Sequence, residues 1–156
     1  MKILVILSLL LMIGYITAGW SKNARAPISV SSIAYIFPKG AFSAVMAMYM
    51  LLTMPRTFEA LPPGWEFVGF VGFLCFAGIL LVAASPYFRS EWRVMHYAGG
   101  IIYGILSQVI VAMICPWLLL GWLPLAAYLI YRPRTDTWAL WAEITIGLTL
   151  ALALLI

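Results

Sequence analysis

Two ionisable side chains, His96 and Glu143, stand beside or within long apolar runs of this sequence. His96 is the only histidine, and Glu143 interrupts the apolar segment that begins at Trp138. An imidazole and a carboxylate can serve as general acid and base when both reach the same substrate. An ionisable group inside a membrane segment normally faces the bundle interior. There it can also serve as a structural contact between helices. The two residues are therefore candidates for catalysis or ligand binding, with a structural role as the alternative.

The composition indicates what surrounds these residues. Of the 156 residues, 65% are hydrophobic and 9% are charged, and the mean hydropathy is +1.08. A soluble domain carries about 25% charged residues, and a chain of this size leaves much of its surface exposed. The sequence therefore predicts an all-α integral membrane protein, with residues 1–156 forming one polytopic domain. The net charge of +4 comes without a basic run, so we expect membrane lipids and no nucleic acid as partners.

Six apolar segments approach the length of about 20 residues that a transmembrane helix needs. They cover residues 3–20, 40–54 (or from about 33), 65–84, 95–115, 117–131 and 138–156. Residues 3–20 also resemble a signal peptide, but we expect a retained helix. The fifth segment is short and contains Pro124, which we expect to kink it, and the prolines of "PRTFEALPPG" predict a non-helical connection. The predicted bundle has six transmembrane helices, with five as the alternative.

The positions of the cationic residues predict the orientation. Loops 21–39, 85–94 and 132–137 contain most of the Lys and Arg residues, whereas the other side of the membrane has only Lys2 and Arg56. The positive-inside rule therefore places those three loops in the cytoplasm of a multi-pass protein.

The same three loops bring most of the polar residues to one membrane face. The residues His96, Gly99, Gly100, Tyr103 and Ser107 recur at spacings of three and four, so they share one face of a helix. Glu143 lies roughly 8 Å into the sixth helix from that side. We predict a polar vestibule there that binds the headgroup of a lipid or amphiphile. Its candidate residues are Ser29, Ser31, Tyr35, Lys39, Arg89, Arg93, His96, Tyr103, Ser107, Gln108, Arg132 and Glu143.

Two other functions stay open. The first is a lipid-modifying membrane enzyme that uses His96 and Glu143 as acid and base. The second is a non-catalytic interaction module that packs against itself or a membrane partner protein, because Gly100 and Gly104 form a GxxxG pair. Whether the protein is an enzyme is therefore undecided. No metal site and no cofactor are expected, since the sequence has a single histidine and both cysteines lie in apolar segments.

Two short motifs resemble a known family. The stretch "PISVSS" after the first helix resembles the Pro-x-Ile-Ser motif in the first loop of the Frag–DRAM–Sfk family of six-span membrane proteins. The stretch "FRSEWRVMHYAGG" looks like that family's histidine followed by small residues, so Ser29 and His96 are the matching positions. The resemblance implies a six-span fold and a role in lipid handling, lipid-anchor remodelling or membrane stress responses. Val30 stands where the family has an acidic residue, and the family's first loop faces away from the cytosol, opposite to the charge count here.

Overall fold

A computed structural model describes residues 1–22, 27–38, 40–63, 66–85, 92–132 and 136–156, and every regular element within these ranges is helical. The all-α prediction is thereby confirmed. The elements are α1 (Lys2–Ser21), the 3-10 helix η1 (Ser31–Tyr35), α2 (Ala41–Ala60), α3 (Glu66–Ala84), α4 (Arg93–Ile114), the 3-10 helix η2 (Pro116–Gly121), α5 (Trp122–Tyr131) and α6 (Trp138–Leu155). Among the described residues, four helices, α1, α3, α4 and α6, are long and apolar enough to cross a membrane, which is consistent with a membrane protein.

The second helix is longer than the sequence predicts. α2 continues through Pro55 to Ala60, so the prediction of a non-helical connection is wrong for residues 55–60. Tertiary and local contacts stabilise this last turn. The Arg56 guanidinium pairs with Glu59 at 3.1 Å, and its Nε donates to the Leu154 carbonyl of α6 at 2.9 Å. Contacts of this kind override the low helix propensity of a proline.

The fifth apolar segment is divided into two helices. Residues 116–121 form η2 and residues 122–131 form α5, so Pro124 lies in the first turn of a new helix instead of kinking a continuous one. Proline is tolerated there because the first N–H groups of a helix have no intrahelical acceptor. A 3-10 helix rises about 2.0 Å per residue and an α-helix about 1.5 Å. Together the two elements can therefore extend over roughly 27 Å, close to the thickness of about 30 Å of a hydrocarbon core.

Two glycines allow α3 and α4 to approach each other closely. A β-carbon on Gly78 would lie 2.7 Å from the backbone nitrogen of Tyr103. A β-carbon on Gly99 would lie 2.7 Å from the Gly78 carbonyl oxygen. These distances are too short for any side chain, so the backbones themselves are in contact. Gly99 lies on the same face of α4 as His96, which is buried, and this face is directed into the bundle as the spacing predicts.

The GxxxG pair has a different environment. Gly100 is exposed, and a β-carbon there would meet only the Val82 side chain, at 4.0 Å. Gly104 faces α6, where the nearest atom to a β-carbon would be Ile146 Cδ1 at 3.3 Å. The close contact of α4 with α3 therefore depends on Gly99 and not on the Gly100–Gly104 pair.

The buried apolar residues form two clusters at different levels of the bundle. The loop-side cluster consists of Tyr15, Val30, Ile33, Phe42, Met46, Met50, Phe76, Ile79, Val82, Ala83 and Leu140. The distal cluster consists of Val5, Leu61, Val68, Val71, Cys75, Ile110, Val111, Leu150, Ala151, Ala153 and Leu154. The loop-side cluster contains residues of the segment between α1 and α2, called loop one below, and it therefore positions the candidate site.

Candidate functional site

Loop one is attached to the beginning of α6 by two hydrogen bonds. The Val30 N–H donates to Glu143 Oε2 at 2.5 Å, and the Leu140 N–H donates to the Ile28 carbonyl at 3.1 Å. Leu140 lies in the first turn of α6, where backbone N–H groups have no intrahelical acceptor. The loop therefore supplies a capping carbonyl to the helix, and the helix supplies a carboxylate to the loop. We call these four residues the loop clamp.

The serines next to the clamp fold into a turn. The Ser29 and Ser31 hydroxyl oxygens are 3.1 Å apart. Ser29 Oγ accepts the Ser32 N–H at 3.0 Å, and Ser32 Oγ donates to the Ser29 carbonyl at 2.6 Å. Side-chain to backbone bonds of this type stabilise short turns. The turn keeps three hydroxyls half-buried at the loop end of the bundle.

The serine turn packs closely against α1 because α1 has a small residue at the contact. Ile33 of η1 is fully buried, and a β-carbon on Gly19 would lie 2.5 Å from Ile33 Cγ2. Only glycine at position 19 leaves space for this isoleucine. Loop one is therefore fixed from both sides, by α1 and by α6.

His96 forms a hydrogen bond to the end of α3. Its Nδ1 lies 2.8 Å from the Ser85 carbonyl oxygen, and because a carbonyl only accepts, Nδ1 carries the proton. Ser85 follows the last residue of α3, where carbonyls have no intrahelical donor. The imidazole is 5% exposed, and its centroid lies 5.9 Å from that of the Phe42 ring. His96 thus connects the end of α3 to the beginning of α4.

The two candidate catalytic residues border the same cluster from different helices. Phe42, which contacts the His96 ring, belongs to the loop-side cluster together with Val30 and Leu140 of the loop clamp. The hydrogen bonds described above run to different backbone segments, from His96 to the end of α3 and from Glu143 to loop one. Each side chain therefore has a structural contact of its own.

The predicted residues deeper in α4 form contacts between helices. Gln108 Oε1 accepts the Trp122 Nε1–H at 2.8 Å and the Thr149 hydroxyl at 3.2 Å. These three residues, which we call the deep tether, join α4, α5 and α6. Ser107 is buried and lies 3.4 Å from Gln108 Nε2. Tyr103 points to α2 instead, where its hydroxyl lies 2.8 Å from that of Tyr49.

The remaining candidates are exposed or lie outside the described residues. Tyr35, Arg93 and Arg132 are exposed. Arg93 is the first residue of α4, and Arg132 follows the last residue of α5, so the topology places both at the end of the bundle that carries the loop clamp. Lys39 and Arg89 lie outside the described residues.

One buried hydroxyl was not among the sequence candidates. Tyr15 of α1 is 7% exposed, and within the described part of the chain its hydroxyl is the only buried polar side-chain atom without a hydrogen-bond partner. Its ring lies between those of Phe37 and Phe42, with centroid distances of 5.5 and 6.4 Å. An unsatisfied buried group indicates a place where water or a ligand group would bind. Nothing in the sequence indicates this group, because a tyrosine in an apolar helix is typical of ordinary packing.

Comparisons with known proteins leave the chain's family open. No protein-family model, no curated protein and no solved structure matches it. The described residues contain no group of three or more His, Cys, Asp or Glu side chains that could hold a metal ion. The class that the fold defines is therefore an all-α bundle consistent with a membrane protein.

Proposed function

We propose that this chain is a six-span membrane protein that binds a lipid or amphiphile at the loop-clamp end of the bundle, in the cytoplasmic leaflet. The observation that carries the proposal is the unpartnered hydroxyl of Tyr15. A lipid's ester carbonyl or hydroxyl would satisfy it. Since leaving a buried polar group without a partner costs about 1–3 kcal/mol, occupancy by a hydrogen-bonding ligand is favoured.

The position of Tyr15 suits a group just below the headgroup level. It lies six residues before the end of α1 at Ser21, which corresponds to about 9 Å along the helix. Loop one covers this region through Ile33, which belongs to the same cluster as Tyr15. A ligand with a polar linkage between its headgroup and an apolar tail therefore matches the environment.

The exposed arginines favour an anionic headgroup. Arg93 and Arg132 lie at the same end of the bundle as the loop clamp. Arginine binds phosphate oxygens in a bidentate geometry, and a cation near an anionic membrane surface contributes about 1 kcal/mol. A phosphate-bearing headgroup is the chemistry that best fits these residues.

Binding without catalysis is favoured over the enzyme alternative. The imidazole of His96 and the carboxylate of Glu143 both have backbone hydrogen-bond partners. Acid–base catalysis would need them to reach one substrate, and those bonds direct them to separate segments. The packing-module alternative loses one half of its GxxxG pair, because Gly104 already faces Ile146 of α6 within the chain.

The lengths of two further elements support the proposal of six crossings. α2 has 20 residues, long enough for the hydrocarbon core at about 1.5 Å per residue. η2 and α5 together provide the fifth crossing, as calculated above. The proposed orientation is that of the charge count, with loops 21–39, 85–94 and 132–137 in the cytoplasm. The resemblance to the Frag–DRAM–Sfk family agrees with six spans and stays a prediction.

The test is the exchange Tyr15→Phe, which removes only the hydroxyl. In nanodiscs that contain phosphatidylglycerol, native mass spectrometry should show a loss of bound lipid of about fivefold, equivalent to one hydrogen bond of about 1 kcal/mol. The lipid-free variant should be at least as stable as the parent protein, because the exchange removes an unsatisfied buried hydroxyl. Tyr97→Phe, which removes an exposed hydroxyl at the same end, is the matched control and should bind normally.

The headgroup is tested separately with the double variant R93Q/R132Q. We expect lower retention of phosphatidylglycerol and unchanged retention of phosphatidylcholine. Lys2→Gln removes a cation at the opposite end of the chain's first helix and should leave the retention of both lipids unchanged. If Tyr15→Phe and Tyr97→Phe retain lipid equally well, the proposed site is wrong.

A further inference from the structure

A groove lies between η2 and α6 on the side of the bundle. Its volume is about 190 Å³, and its walls include Trp117, Leu118 and Gly121 of η2 and residues of α6 from Ile144 to Leu152. The groove borders the deep tether, because Thr149 is a member of the tether and Gly121 directly precedes the tether residue Trp122.

The hydroxyls near the groove are already engaged, so its walls are apolar. Thr149 Oγ1 lies 2.8 Å from the Thr145 carbonyl oxygen and 3.2 Å from Gln108 Oε1, so its one proton is shared between these two acceptors. The Thr149 methyl group faces η2 instead, since a β-carbon on Gly121 would lie 3.1 Å from Thr149 Cγ2. Thr145 Oγ1 donates to the Trp141 carbonyl at 2.8 Å. The groove therefore offers methyl and methylene groups to whatever occupies it.

The groove runs along α6 from Ile144, which directly follows the clamp residue Glu143, to Leu152. α6 begins at Trp138 beside the clamp, and at about 1.5 Å per residue Ile144 and Leu152 lie roughly 9 and 21 Å farther along. The rim is open to the side, because Trp117, Leu148 and Leu152 are 77%, 46% and 39% exposed. The walls contain neither Arg132 nor a residue of the serine turn, so they do not form the headgroup site of the proposed function.

The molecule that occupies the groove can be inferred from the chemistry of its walls and from the environment of the bundle. Water does not fill an apolar cavity stably, because it needs two to four polar partners. An empty groove loses the dispersion contacts of its walls. Next to helices that are long and apolar enough to cross a membrane, the hydrocarbon tails of lipids are what can supply those contacts.

We infer that this groove binds one acyl chain of a membrane lipid, which lies between η2 and α6 along the residues from Ile144 to Leu152. The inference shares with the proposed function only the assignment to a membrane. It concerns a second site, whose walls contain none of the residues that the headgroup site uses.

The test uses phosphatidylcholine with a photoactivatable diazirine near the end of one acyl chain. The full-length protein is reconstituted in vesicles of this lipid and irradiated, and the labelled residues are mapped by mass spectrometry. We expect labelling of Trp117, Leu118 and Leu148 at least fivefold above that of Ile130, an exposed residue of α5 outside the groove. The same diazirine in the headgroup should label the groove no more than Ile130.

Filling the groove should abolish the preference. Leu148→Trp places a larger side chain in the groove and should reduce the labelling of Trp117 to the level of Ile130, whereas Ile130→Trp should leave it unchanged. Leu152→Trp is a second filling variant in case the first one fails to fold, which thermal unfolding reports. Tyr15→Phe should not affect this labelling, so failure of the headgroup site and failure of this inference can be distinguished.

Two results would overturn the inference. Equal labelling of the groove and of Ile130 would mean ordinary lipid contact over the whole surface. Cross-linking of the groove to a second copy of the chain in place of lipid would mean that a subunit occupies it.

Discussion

The two ends of α6 are held by hydrogen bonds of opposite polarity. At its beginning the Glu143 carboxylate accepts the Val30 N–H of loop one, and the Ile28 carbonyl accepts the Leu140 N–H. At its other end Arg56 of α2 donates to the Leu154 carbonyl. The Ile28 carbonyl near the beginning of α6 and the Arg56 guanidinium near its end both match the helix dipole, which acts within the first and last turns. Glu143 lies beyond the first turn, so it contributes a hydrogen bond to loop one and no dipole effect.

The difference between the ends lies in what each contact holds. The clamp at the beginning of α6 holds a loop whose regular structure, among its described residues, is the five-residue helix η1. The contact at the other end joins two long helices whose apolar faces already pack together. Loss of the loop clamp should release loop one from α6. Loss of the Arg56–Leu154 contact should lower the stability of the protein and leave loop one in place.

The largest expected effect is that of Glu143→Ala. It removes a bond to a charged group and leaves the buried Val30 N–H without an acceptor, so the free energy of unfolding should fall by about 3 kcal/mol. Hydrogen exchange of residues 27–33 should become faster, and lipid retention should fall with it. Glu143→Gln keeps an acceptor oxygen and should recover most of the loss. Unchanged exchange at residues 27–33 in the alanine variant would contradict the clamp.

A smaller effect is expected for Arg56→Met, which keeps an apolar stem but removes the donor to Leu154 and the partner of Glu59. We expect a loss of about 2 kcal/mol, measured by thermal unfolding, with unchanged hydrogen exchange in residues 27–33. Glu59→Gln breaks only the ion pair with a half-exposed carboxylate and, as the control, should cost less than 1 kcal/mol. Faster exchange in loop one would show that the two ends are coupled.

The sequence was sufficient for the elements whose boundaries depend on local composition. The bounds of α1, α3, α4 and α6 agree with the predicted segments to within two residues, because each is an apolar run bordered by polar residues. The end of α2 could not be predicted, since it depends on the contact of Arg56 with a carbonyl 98 residues away. The division of the fifth segment depends on where a helix restarts relative to Pro124, and periodicity carries no such information.

The candidate site was harder to predict because its contacts involve the backbone. The sequence suggested that loop one and Glu143 converge, and the structure joins them through the N–H of Val30, a residue whose side chain gave no signal. Ser107 shares the helix face of His96, and Gln108 directly follows it, so the sequence favours a place for both in the vestibule. Gln108 instead contacts Trp122 of α5 and Thr149 of α6, which a pattern along one helix cannot indicate.

The smallest expected effect is that of His96→Phe, which separates the loop clamp from the other polar contact at the same end. Phenylalanine retains a ring beside Phe42 but cannot donate to the Ser85 carbonyl, so one neutral hydrogen bond is lost, worth about 1 kcal/mol. Since this bond joins α3 to α4 and does not touch loop one, hydrogen exchange at residues 27–33 and lipid retention should both stay at the level of the parent protein. Lipid modification that is present in the parent and absent in a folded His96→Phe protein would instead support the enzyme alternative. If the variant binds lipid normally and its loop one is undisturbed, the imidazole has a structural role. The loop clamp alone would then explain why the two ends of α6 differ in their effect on lipid binding.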